Sequence, residues 1–195
     1  RIANAVEEYL NTHGKSAEVA KYAWEFNLVK DPAVNAFCMP GGKVVVYDGI
    51  LPVTRDEKGL AVVLGHEIAH AVANHSNERM SQQMGLQYGA ALTDMLLQNQ
   101  KATTRTAINM VYGAGAQFGV ILPYSRQHEY EADHLGLIFI AMAGYDPSES
   151  IAFWERMAAN STGAPVEFMS THPSDAKRIA KLKEFLPEAM KYYKK

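Results

Sequence analysis

The sequence predicts an α+β fold, mostly helical, with one small β-sheet in the first third of the chain. Three observations carry that reading. A β-branched run, Val44-Val45-Val46, stands between Pro40-Gly41-Gly42 and Asp48-Gly49, as a strand does between two turns. From Asp56 onward apolar residues recur at helical rather than alternating spacing. No repeat, low-complexity linker or composition shift divides the 195 residues, so a single domain over residues 1–195 is expected.

The elements follow in order. Residues 2–10 carry apolar side chains at helical spacing and Gly14 stops them, which gives a first helix. Residues 24–29, 33–39 and 43–47 supply three strands. Residues 56–74 form the next helix, with Asp56 and Glu57 at its positive N-terminus. Helices over residues 76–100 and 104–118 are rich in Met, Ala, Gly and Gln. Pro123 is expected to break the pattern, with Ser125 capping a helix that ends near Gly144. Pro147 opens residues 148–159, and Pro173 opens a last helix through Ile179, Leu182, Leu186 and Met190.

Composition excludes several classes. Hydrophobic residues make up 48% and charged residues 21%, which suits a globular domain with a real core. Nineteen basic against 21 acidic side chains leave a net charge of −2, so no nucleic-acid partner is expected. The single cysteine, Cys38, rules out an internal disulfide and a cysteine-based metal site; its apolar neighbours predict a buried thiol. Residues 110–122 are the nearest approach to a membrane span, but they are short, glycine-rich and interrupted by Gln117. A start at Arg1 reads as a trimmed N-terminus, through which a membrane tether is possible.

The chemistry concentrates at His66-Glu67-Ile68-Ala69-His70. On a helix His66 and His70 stand one turn apart on one face and can share a metal ion. Glu67 then sits beside that ion as a base for a bound water. A catalytic zinc needs a third protein ligand, and Ser125-Arg126-Gln127-His128-Glu129-Tyr130-Glu131-Ala132-Asp133 offers candidates. Glu129 and Asp133 share a helical face, so Glu129 can ligate while Asp133, one turn on, orients a ligand histidine; Glu131 points elsewhere. The residues alone leave the choice among the three open. His13, His75, His128 and His134 lack comparable motifs and are read as surface or packing residues.

These segments together resemble the M48 family of zinc metallopeptidases, which includes HtpX-like, CAAX prenyl and BepA-like proteases. The resemblance rests on His66-Glu67-x-x-His70, Ser125-Arg126-x-x-Glu129-x-x-Ala132-Asp133, Asn35-Ala36-Phe37 with Pro40-Gly41-Gly42, and Ser170-Thr171-His172-Pro173-Ser174. It implies a zincin-like domain whose small sheet packs on the helix of the two histidines. It also implies one zinc per chain on His66, His70 and Glu129, with Glu67 as general base. Asp133 would orient a ligand histidine, and Arg126 would fix local helix geometry. His172 would lie near the metal, either assisting catalysis or capping the zinc.

The implied activity is hydrolysis of internal peptide bonds in unfolded or misassembled polypeptides. Without the transmembrane helices of the membrane-bound members, the chain resembles the soluble bacterial branch, which implies the bacterial cell envelope, periplasmic or lipoprotein-anchored. A zinc-holding binding protein and a hydrolase of non-peptide amides are the competing readings. The Met-rich residues 80–118 read as a helical hairpin completing the core rather than as a lid.

Overall fold

Two glycines of positive φ, Gly41 at 87° and Gly42 at 89°, reverse the chain between β2 (Ala36–Met39) and β3 (Lys43–Tyr47). The two strands pair antiparallel, Ala36 opposite Val46 and Cys38 opposite Val44. On the far side of β3 lies β1 (Glu25–Val29), parallel to it, so β1 and β2 are the outer strands of the order β1-β3-β2. Alternation buries Val44 and Val46 on the face that meets the helices. The computed structural model describes residues 1–160, 167–172 and 176–194; the expected role of Pro173 lies outside them.

The chain divides into two compact units, Arg1–Ala73 with Glu129–Lys195, and Asn74–His128. The first holds the sheet, α1 (Ile2–Thr12), α2 (Ser16–Val19), α3 (Leu51–Thr54) and α4 (Glu57–Val72). It also holds most of α7 (Leu122–Met142), then α8 (Glu149–Asn160), α9 (Glu167–Thr171) and α10 (Ala176–Ala189). Asp56 caps α4 by accepting a hydrogen bond from the Gly59 amide at 2.9 Å. α4 then runs through the core with Val62, Val63, Ile68 and Ala69 buried, while β2 packs along it. α4 and α7 approach closely where two glycines face each other. A Cβ on Gly136 would stand 3.2 Å from the backbone of Gly65 and of His66.

The second unit contains α5 (His75–Leu96) and α6 (Ala102–Ala116), packed as a hairpin. The Tyr112 hydroxyl donates to the Leu86 carbonyl at 3.0 Å, over Gly89, where a Cβ would collide with it. Asn74 takes a left-handed conformation, φ 60°, which ends the preceding helix two residues earlier than its apolar pattern predicts. The hairpin does not complete a core: Met80, Met84, Met95 and Met110 are exposed.

Pro123 does not break the helical path either. A π-helical turn at Gln117–Ile121 leads into α7, and Pro123 stands in the first turn of that helix, where a missing amide costs least. Ser125 is therefore inside α7 rather than its cap. No helix among the described residues is long and apolar enough to cross a membrane.

Candidate metal centre

The capped, buried course of α4 places His66 and His70 one turn apart with their Nε2 atoms 3.1 Å from each other. α7, held close by the Gly65–Gly136 approach, brings Glu129 to the same point. Its Oε2 lies 3.3 Å from His66 Nε2 and its Oε1 3.3 Å from His70 Nε2. His172, just past α9, adds a fourth atom: its Nδ1 is 3.2 Å from His66 Nε2 and 3.1 Å from Glu129 Oε1. Four ligand atoms from four side chains thus converge.

A metal ion fits this arrangement on two counts. A tetrahedron with metal–ligand bonds of about 2.0–2.1 Å has edges of about 3.3–3.4 Å, close to the separations found here. Charge agrees. Three carboxylates, Glu67, Glu129 and Asp133, are buried beside a single buried arginine, Arg178, a surrounding that favours a bound cation.

The titrations follow from the same contacts. Burial alone would raise Glu129, yet hydrogen bonds from His172, His66 and His70 hold it well below the usual carboxylate range. Asp133 is likewise depressed against burial by the charge and hydrogen bonds of Arg178, then by His66. Burial lowers His70 to about 3. Burial and the Arg178 charge act against a proton on His66, but hydrogen bonds to Asp133 and Glu129 prevail and raise it to about 9. Burial raises Glu67, despite the opposing pull of His172 and His66. Its Oε1 is buried without a hydrogen-bond partner, and His172 Nε2 lies 3.4 Å away.

The positions expected from sequence separate here. His66, His70, Glu129 and His172 form the cluster, Glu67 stands beside it, and Asp133 Oδ1 lies 3.1 Å from His66 Nδ1, behind the ring. Glu131 and Arg126 are exposed. The arginine at the centre is Arg178 on α10, which pairs with Asp133 at 2.6 Å and with Glu129 at 3.0 Å. Trp154 on α8 lies under it, 3.7 Å from the guanidinium carbon to the ring centroid, and meets the His66 ring edge-on. Neither residue was singled out in the sequence. The signal was an arginine six positions after His172, in a helix read only for its apolar spacing.

The model of peptidase family M48 matches residues 1–186. The chain belongs to that family. Membership places it among zinc metallopeptidases, and the four convergent side chains suit that metal. The chain is 42% identical over 168 residues to the mitochondrial metalloendopeptidase OMA1 of Schizosaccharomyces pombe, covering 85% of this chain and 48% of the relative. It is 39% identical to the Saccharomyces cerevisiae protein of that name, over 87% of this chain and 49% of the relative. With the β-barrel assembly-enhancing protease of Yersinia pestis it shares 31%, over 89% and 37%. The chain thus spans about half or less of the length of these family members.

Two expectations are corrected. A place in the soluble bacterial branch, and with it the bacterial cell envelope, is not supported. Relatives from fungi, a plant and vertebrates carry mitochondrial names, and the two yeast proteins exceed the bacterial ones in identity. Short motifs shared across the family carry no compartment signal, so resemblance in them does not fix a location.

Proposed function

We propose that this chain is the catalytic domain of a zinc endopeptidase that cuts internal bonds of unfolded or misassembled polypeptides, residues 1–195 acting as one peptidase domain. The observation that carries the reading is Glu67: a buried carboxylate oxygen with no hydrogen-bond partner, beside four convergent ligand atoms. A site that only stores or scaffolds a metal has no use for such a base. The names of the eukaryotic relatives support a mitochondrial setting.

His66, His70 and Glu129 would hold the zinc. When bound, the metal lowers the pKa of water toward about 7 and stabilises negative charge on a carbonyl oxygen. Glu67, whose basicity burial increases, accepts the proton of the attacking water at its buried Oε1 and returns it to the departing amine. Asp133 accepts from His66 Nδ1–H, which leaves His66 Nε2 free as a ligand. His172 occupies the fourth corner of the cluster, so in this arrangement it caps the site and must swing aside before substrate enters. The substrate backbone then pairs with the outer edge of β2, the strand packed along α4. Backbone pairing tolerates most side chains, which suits unfolded chains.

The test is digestion of casein, an unstructured protein, by zinc-loaded wild type and His172→Ala, with products mapped by mass spectrometry. Internal cuts by both, severalfold faster without the histidine, are expected. Cuts confined to chain ends, or none while zinc is held, would overturn the endopeptidase reading. A slower H172A would move the histidine from cap to transition-state donor.

A further inference from the structure

We propose that Arg178 is the positioning residue of this metal centre: one guanidinium fork that fixes a zinc ligand, the carboxylate behind another, and the segment carrying the fourth. The inference rests on the zinc site proposed above and adds the device that holds it in shape. Its Nε donates to Asp133 Oδ2 at 2.6 Å and its Nη2 to Asp133 Oδ1 at 2.8 Å, a bidentate pair that fixes the carboxylate plane. Asp133 Oδ1 in turn faces His66 Nδ1 at 3.1 Å. Nη1 is divided between Glu129 Oε2 at 3.0 Å and the backbone carbonyl of His172 at 3.2 Å. The side chain is buried, and its flat face lies on the Trp154 ring.

The bidentate pair with Asp133 uses two of the five N–H donors of the guanidinium, and a buried arginine must place the others as well. Here the remaining donors reach a metal ligand and the main chain of a second one. A fixed cation so close to a divalent ion works against binding that ion, by Coulomb's law in a poorly screened interior. Its presence is explained if the order it imposes on Asp133, Glu129 and His172 outweighs that repulsion. Lysine cannot substitute, because a single ammonium offers no planar fork to match Asp133 while also reaching Glu129.

The decisive experiment measures the zinc dissociation constant by competition with a chromogenic chelator, together with the melting temperature of the metal-free protein. Wild type and Arg178→Lys are compared first. R178K is expected to hold zinc about 10–100-fold more weakly, the range found when partners behind metal ligands are lost. Affinity within twofold of wild type, with only the melting temperature lowered, would overturn the inference and leave Arg178 a packing residue.

If R178K does not fold, the neutral amide pair D133N/R178Q is compared with D133N, which keeps the guanidinium on Glu129. At least tenfold weaker binding by the double variant supports the positioning role, and equal affinity overturns it. Failure of wild type itself to bind zinc would instead remove the site reading on which the inference rests.

Discussion

At the scale of single residues, the site consists of groups whose protonation is set by burial and by one another. His66 is the sharpest case. With its proton held up to about 9 by Asp133 and Glu129, it is charged at neutral pH when no metal is present. A metal must displace that proton, whereas His70, lowered to about 3, is already neutral. Zinc binding therefore releases a proton, and affinity should rise about tenfold per pH unit from 7 until it levels near 9. Chelator competition across that range checks it; an affinity flat with pH would show His66 already deprotonated. His66, Glu67 and His70 were legible because their spacing alone puts them on one helical turn. Glu129, Asp133 and Glu131 could not be ranked that way. Choosing among them needs the azimuth of α7 against α4, which the Gly65–Gly136 approach sets and the residue pattern conceals. Arg178 was illegible for a related reason: a buried cation has the same letter as a solvated one.

At the scale of elements, turn chemistry was the reliable guide. Pro40-Gly41-Gly42 marked the hairpin, and β3 spans the five residues its β-branched run indicated. Proline misled where the chain had another remedy, since the π-helical turn carries the helix past Pro123. The substrate reading depends on β2. The Tyr47 amide donates to the Asn35 carbonyl at 3.1 Å, so alternation along the antiparallel pair points the Cys38 amide toward the outer edge. A proline is tolerated at such a position, because its missing N–H is not needed by the ladder. Cys38→Pro should therefore retain the fold while raising KM for casein about five- to tenfold, the loss expected of one backbone hydrogen bond of about 1–1.4 kcal/mol. A folded C38P with unchanged KM would place the substrate elsewhere. The buried thiol lost in the exchange is not a candidate nucleophile, since burial pushes it up to about 12.

At the scale of the whole molecule, the match over residues 1–186 gives the family, while the four convergent ligand side chains all lie in the first compact unit. The second unit contributes an exposed, methionine-rich hairpin that the apolar pattern misassigned to a core. Helical periodicity reports that one face is apolar and says nothing of what covers it. The central claim is that Glu67 is the base of a zinc endopeptidase. Casein digestion by zinc-loaded wild type and Glu67→Gln, prepared side by side with zinc content verified in both, tests it most directly. The account predicts that wild type cuts and that E67Q, holding the same zinc, is slower by at least a hundredfold, the scale of a lost general base of about 10²–10⁴. Equal cutting by both proteins would contradict it.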